Sequence, residues 1–424
     1  MARLLIPTRN RPASLASVIA YIERFSPGTE VIIADGSEDG FADRNRKMVQ
    51  EKGGAVALDY RRYAYEMPFF DRLLDVLRGE SDPFIIMGSD DDYPLLDALK
   101  RAERRLIATP NAVTALGATL KLSLRARDDV AIGMSVSRPL SSKTPLTRAN
   151  IFSLRSFSTT YAVTAREHLI ERYERAKRVF LPGFFDFGVG MHDALSGQVI
   201  SVPEFTYLAT CNFNHSYLRP SERYAFMKRQ DEFGTLQGSI AGDLQRTTDL
   251  RPADADERAA YLIGRRIVEV MGGAPLQGGN IRNLREDPTV EAQVQAFFNL
   301  FSADTDTRAG MIDRVRFVVE ALNSVAASDD NAGEANTVAS LEAQKAKEKT
   351  GPERNPMFTS RLRYGHAERQ SDTSIPTNVA IAMPELLFAP DPDAEPVQEP
   401  AQPVPDADPA KPPGTGWISR ILGS

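Results

Sequence analysis

The chain has 424 residues, a net charge of −6, and ordinary hydrophobic (42%) and charged (25%) fractions, which exclude a collagen-like, wholly disordered or coiled-coil chain. Its single cysteine, Cys211, excludes a disulfide framework and a cysteine-built zinc site, and fits a reducing compartment. No stretch reaches the ~18 apolar residues of a membrane span, and the opening MARLLIPTRN is too short in apolar residues for a secretory signal, so a cytoplasmic protein is expected.

The charge is uneven. Residues 1–220 carry 29 basic and 26 acidic side chains, net +3, and the other 204 residues carry 22 and 31, net −9. An arginine-rich first half without a basic stripe suits a small anionic ligand and argues against nucleic acid.

Residues 2–125 read as strands alternating with helices. Leu4-Leu5-Ile6 is a buried strand ending at Pro7, and Asn10-Arg11-Pro12 places a cap and a proline at a helix start. Leu15, Val18, Ile19, Ile22 and Phe25 follow at helical spacing. Val31–Ala34 and Ala55–Leu58 are further strands. A helix over Phe69–Leu77 leads to a strand at Pro83–Met87 and a helix over Leu95–Ile107. This alternation predicts an α/β fold with a mainly parallel sheet, whose ligands bind at the carboxyl ends of the strands. Residues 111–220 look mixed: strands near Ala112–Leu116 and Ala131–Val136, a loop at Ser137–Thr147, a helix near Arg166–Arg178, then an aromatic and glycine-rich segment, Phe184–Gly190. Residues 221–327 form a helical region, with apolar faces on Ala260–Met271, Val294–Phe301 and Met311–Leu322.

Residues 328–424 are expected to be a largely disordered tail. Ten prolines between Pro384 and Pro413 alternate with Asp, Glu and Ala, and cannot bury enough apolar surface to offset ordering. The tail ends in Gly416-Trp417-Ile418-Ser419-Arg420-Ile421-Leu422, an apolar segment on a tether. Residues 416–424 could dock on a partner or on the inner face of a membrane, or could simply lack structure.

Three segments fall at the carboxyl ends of predicted strands. In Pro7-Thr8-Arg9-Asn10-Arg11-Pro12 a sharp turn opens a helix, so backbone N–H groups and a positive dipole end face a ligand, and Arg11 could add a phosphate contact. A capped helix start would read the same in isolation. Ala34-Asp35-Gly36-Ser37 offers a carboxylate for a base N–H or a ribose hydroxyl, or is an Asp-Gly turn. Ser89-Asp90-Asp91-Asp92 places three repelling carboxylates at one strand end. A helix start needs one acid rather than three, and an oxygen-seeking cation such as Mg²⁺ or Mn²⁺ would relieve the repulsion.

In this order the three segments resemble the GT-A-fold glycosyltransferases of the family 2 type over residues 1–220. The resemblance implies a Rossmann-like domain in which Pro7, Thr8, Asn10, Arg11 and Asp35 hold the nucleotide of a nucleotide-sugar donor. It also implies that Asp90, Asp91 and Asp92, with His215 after the last strand, hold Mn²⁺ or Mg²⁺ on the diphosphate. The general base of inverting members matches Asp186, with Asp193 as runner-up; Phe185 stands where the family often has Glu. A base flanked by Phe184, Phe185 and Phe187 is expected to be desolvated. His168 starts a predicted surface helix and His192 lies in the acceptor-side helix, neither with an assigned role.

The implied activity is metal-dependent transfer of a sugar, with inversion, to a hydroxyl of a glycan, lipid-linked or protein acceptor. Two rivals stay open. One is a non-catalytic sugar-nucleotide-binding or scaffold protein. The other is a sugar nucleotidyltransferase, which should show a glycine-rich loop after the first strand, where Pro7-Thr8-Arg9-Asn10 has none.

Overall fold

At the middle of the sheet, β1 (Arg3–Thr8) has Leu4, Leu5 and Ile6 fully buried, as a strand covered on both faces requires. The computed structural model describes residues 2–52, 54, 56–126, 129–154, 156–178, 184–210, 230–270, 287–300, 306–326 and 380–381. His215, Cys211 and nearly all of the expected tail lie outside the described residues.

β1 pairs in parallel with β2 (Glu30–Asp35) on one side and β4 (Phe84–Met87) on the other, and β3 (Ala57–Arg62) adds to β2. The order β3-β2-β1-β4 is that of a Rossmann-like half, with the chain reversing direction across the sheet at β1 and β4. Beyond β4 the sheet turns mixed. β8 (Val163–Ala165) runs antiparallel to β4 and to β6 (Ala112–Ala126), and β7 (Asp129–Ser135) runs antiparallel to β6. β9 (Gln198–Thr210) runs parallel to β6 and carries β5 (Tyr93–Pro94) on its edge, and β10 (Ala380–Ile381) extends β7. The α/β class and mainly parallel sheet expected from the sequence are present.

Helix α1 (Pro12–Phe25) starts on its proline and buries Leu15, Val18, Ile19 and Ile22, the predicted stripe. Asn10 is not its cap. That residue takes a left-handed φ of 57°, and its side-chain oxygen instead accepts from the Glu38 amide at 2.9 Å. Helix α2 (Asp39–Lys52) was not legible, because it buries only Ala42 and Asn45 and shows no apolar period. β3 lies two residues beyond its expected start. Its charged residues are held at the sheet edge by ion pairs, Asp59 with Arg3 and Arg61, and Arg62 with Asp39.

Helices α3 (Phe69–Gly79) and α4 (Leu96–Ala108) form as expected. α5 (Pro145–Leu154) replaces the end of the expected loop, and α6 (Arg166–Ala176) and α7 (Phe185–Ser196) follow. Of the helical region, α8 (Gln230–Thr247) and α9 (Pro252–Val270) share one core with α5 and α7, where Phe152, Phe184, Phe187 and Met191 meet Leu236, Ile240, Leu244 and Leu262. α10 (Pro288–Asn299) sets Gln293 into β9, its amide nitrogen donating to Val202 O at 2.6 Å. α11 (Asp306–Ala326) packs on α1 through Phe317 against Tyr21 and Phe25. Among the described residues no helix is long and apolar enough to cross a membrane.

Candidate active site

The three strand ends come together where β1 and β4 part. Thr8, the last residue of β1, donates from its hydroxyl to Asp90 Oδ2 at 2.8 Å. Arg11, at the start of α1, donates from Nη1 to Asp91 Oδ2 at 2.9 Å and lies 3.4 Å from Asp90 Oδ1. Thus the first loop and the acidic loop, 80 positions apart at Arg11 and Asp91, are one structure.

Asp90 and Asp92 are buried. Burial, opposed by Arg11 and reinforced by the neighbouring Asp91, pushes Asp90 up to about 6. Burial and Asp91 push Asp92 well above the carboxylate range even though the Thr210 amide donates to its Oδ1 at 2.7 Å. One arginine stands against three carboxyl groups here, and their hard oxygen donors fit a divalent cation of the Mg²⁺ or Mn²⁺ kind. Arg11 already brings one cation to Asp90 and Asp91. The acidic ligand atoms do not form a ready-made shell, since one other cluster alone, described below, brings three ligand atoms within 4.8 Å among the described residues.

Asp35 is fully buried and its two oxygens are occupied. The Ser37 amide donates to Oδ1 at 2.7 Å, and Asn45 Nδ2 and Tyr60 OH donate to Oδ2 at 2.8 and 2.6 Å. The carboxylate ties the end of β2 to α2 and β3, so a nucleoside contact would have to share or displace one of these donors. Pro7 lies within β1, and the Asn10 amide donates to Ser37 Oγ at 2.8 Å, which joins the first two strand ends.

Asp186 occupies the first turn of α7 and is exposed, which corrects the expectation of a desolvated base. Phe184 and Phe187 turn into the core, and Phe185 packs on Phe70 at 5.8 Å between ring centroids, so none of them shields the carboxylate. Ser158 and Thr160 hydroxyls donate to Asp186 Oδ1 at 3.1 and 2.8 Å. Oδ2 has no hydrogen bond among the described residues. Asp193 is fully buried and paired with Arg172 at 2.8 Å and His168 at 2.7 Å, with Thr159 also donating to it. Although burial alone would raise it, the Arg172 charge and the His168 hydrogen bond hold it well below the usual range. No acceptor hydroxyl can reach it, and the runner-up base is set aside. His168 and His192 are both buried, not on a surface helix. His215 lies outside the described residues.

Two residues were missed. Tyr161 is partly buried, and its phenol is pushed up by burial and then by the Asp92, Asp91 and Asp186 charges. It therefore lies within electrostatic reach of the acidic loop and of Asp186; nothing in its local sequence signals this. Arg72 is buried on α3, where its Nη1 donates to Thr8 O at 3.0 Å and lies 3.4 Å from Ala34 O. Among the described residues it makes no ion pair. A Cβ at Gly36 would lie 2.0 Å from Nη1, so the glycine makes room for the guanidinium. Its signal was a charge on the buried stripe of an otherwise apolar helix face.

No protein-family model matches the chain, and no curated protein matches it. Among solved structures, residues 1–349 of S. aureus TarS are similar at 13% identity and a TM-score of 0.43, covering 84% of this chain and 93% of that one. A mannosyltransferase from Pyrobaculum calidifontis, solved with GDP-Man and Mn²⁺, is similar at 13% identity and a TM-score of 0.36, covering 82% and 86%. A CMP:2-keto-3-deoxy-manno-octonic acid synthetase complexed with CTP is similar at 14% identity and a TM-score of 0.28, covering 50% and 90%. These weak likenesses assign no activity to the chain.

Proposed function

We propose that the protein is a metal-dependent glycosyltransferase that moves a sugar from a nucleotide-sugar donor to an acceptor hydroxyl. One observation carries the reading: the Thr8–Asp90 hydrogen bond, which fuses two candidate binding loops at the switch point of a Rossmann-like sheet, where such sheets bind ligands. Pro7, Thr8, Asn10, Arg11 and Asp35 form the nucleotide side. Asp90, Asp91 and Asp92 would hold Mn²⁺ or Mg²⁺, which supplies charge neutralisation for a leaving diphosphate.

The chain's own contribution to the reaction centres on Asp186. Ser158 and Thr160 fix Oδ1 and so leave Oδ2 to accept a proton from the acceptor hydroxyl. The hydroxyl oxygen forms a bond to the sugar's anomeric carbon as the bond from that carbon to the diphosphate breaks, with its electron pair leaving on the diphosphate. A single displacement inverts the anomeric centre. The acceptor is a glycan, lipid-linked or protein hydroxyl. The division into a transferase domain over 1–220, helices over 221–327 and a largely disordered tail over 328–424 with a docking segment at 416–424 belongs to the same reading, as does a cytoplasmic enzyme.

A second reading has its own support. Arg11 pairs with Asp90 and Asp91, the place a cation would take, and this favours a protein that binds a sugar nucleotide without turning it over. A transfer and hydrolysis assay over a panel of nucleotide sugars, with and without EDTA, separates the two. EDTA-sensitive turnover supports the enzyme, whereas nucleotide binding without turnover supports the binding protein.

A further inference from the structure

Behind α7, away from the strand ends, lies a cluster of ionisable groups that sugar transfer does not use. His168 and Glu171 stand one turn apart on α6, and His192 faces them from α7. Their ligand atoms all lie within 4.8 Å of one another. The two imidazole rings are stacked, with centroids 4.8 Å apart and planes 8° from parallel.

Each ring is held at one nitrogen by its own carboxylate. His168 Nε2 is 2.7 Å from Asp193 Oδ1, and His192 Nδ1 is 3.0 Å from Asp243 Oδ2. Those carboxylates are anchored in turn: Asp193 by Arg172 and Thr159, Asp243 by Arg175 and Arg246. Both carboxylates accept, so the ring protons sit on His168 Nε2 and His192 Nδ1. The other ring nitrogens, His168 Nδ1 and His192 Nε2, are then the atoms with which the rings can ligate. His192 Nε2 is buried with no hydrogen-bond partner, and the residue is only 4% exposed. An orphaned buried acceptor calls for a partner.

We propose that His168, His192 and Glu171 form a binding site for a divalent cation of the zinc class, separate from the acidic strand ends. The proposal does not rest on the transferase reading. Two imidazole nitrogens and one carboxylate make a three-ligand set with a fourth position for water, as zinc accepts. A ring N–H given to a carboxylate is the outer-shell arrangement of metal-bound histidines. The arginines take up the charge of Asp193 and Asp243, so the site selects by nitrogen coordination and disfavours the hard ions that carboxylates prefer. Glu171 is exposed and opens the site to solvent. The bound ion would tie α6 to α7, the helix that carries Asp186.

The test uses the full chain in an Asp92→Ala background, which cripples the strand-end carboxylates. Zn²⁺ is titrated calorimetrically, and Co²⁺ is followed by visible absorption. One Zn²⁺ per chain, a raised melting temperature and Co²⁺ absorption of the four-coordinate type are expected. Asp243→Asn weakens Zn²⁺ binding roughly 10- to 100-fold, as outer-shell changes do. His192→Gln abolishes it. Glu171→Gln, an exposed change that leaves metal-free melting unmoved, weakens it at least several-fold. No Zn²⁺ binding in the Asp92→Ala protein overturns the site, and so does unchanged affinity in Glu171→Gln, whether or not His192→Gln folds.

Discussion

Thr8 gives its hydroxyl hydrogen to Asp90 at 2.8 Å, so the last side chain of the first strand and the first carboxylate of the acidic loop are bonded across the point where β1 and β4 diverge. Replacing Thr8 by Val keeps the shape and removes the donor. A buried hydrogen bond to a charged group contributes about 1.5–3 kcal/mol, so Thr8→Val should lower stability by that order in chemical denaturation. It should also weaken nucleoside diphosphate binding in Mn²⁺ by about tenfold, a further 1.4 kcal/mol. Unchanged nucleotide affinity would separate this bond from the binding site.

Asp92 tests the metal assignment. It is buried beside two other acids, and its removal relieves repulsion in the metal-free protein. Asp92→Ala should therefore leave the metal-free melting temperature equal to or above that of the parent. The Mn²⁺-dependent gain on adding a nucleoside diphosphate should disappear, as should transfer. A mutant that keeps this Mn²⁺-linked gain in full shows that the metal is not held there.

Asp90 gives the pH dependence. Its ordinary value of 3.8 rises to about 6 in the fold, chiefly through burial. Between those values the folded chain binds more protons than the unfolded one, so stability falls as pH rises through this window and is flat above it for this group. The shift corresponds to on the order of 3 kcal/mol. The stability difference between the parent and Asp90→Asn should thus move against the parent from pH 4 to 6. Mn²⁺, which competes with the same proton, should stabilise the parent more at pH 7.5 than at pH 5. Thermal melts at these pH values decide it, and a difference constant with pH removes Asp90 as the titrating group.

What the sequence made legible, and what it hid, follows from which signals are local. β1, β2 and β4 announce themselves as apolar runs ended by Pro7, Asp35 and Gly88-Ser89-Asp90, because a strand buried on both faces reads as a continuous apolar run bounded by turn residues and charge. Helix α2 has no such signature, and β3 reads two residues early because its second half is charged, with ion pairs to Arg3 and Asp39 far along the chain. The exposure of Asp186 was half-legible: Phe184, Phe187 and Met191 share one helical face, which turns Asp186 off it. Tyr161 joins the site only through tertiary packing, and Arg72 showed only as a charge on the buried stripe of an apolar helix.

The two candidate bases should behave oppositely. Asp186→Asn removes a proton acceptor at an exposed helix start, so kcat should fall by about 10²–10⁴-fold with nucleotide affinity and melting temperature nearly unchanged. Asp193→Asn breaks a buried pair with Arg172 and His168 and should cost about 3–5 kcal/mol of stability. Retained turnover in Asp186→Asn would remove it from the mechanism.

The tail is tested by deletion and by fluorescence. The ten prolines from Pro384 to Pro413 lack backbone donors and favour extended, solvated chain. Beyond them Ile418, Ile421 and Leu422 follow the i, i+3, i+4 spacing of one helical face, next to Trp417 in sequence. So small an apolar patch cannot hold a helix alone and needs a surface to bury it. Deleting residues 384–424 should leave the melting temperature and any transfer to a soluble acceptor within error, and on the docking reading should weaken attachment to a partner or membrane. Trp417 is the only tryptophan of the chain, so its emission reports this segment alone. Emission at the wavelength of a water-exposed indole, shifting blue on addition of anionic vesicles or of the partner, fits a docking segment. A blue-shifted maximum in the isolated monomer would place the segment on the protein itself, and the tether reading would fall.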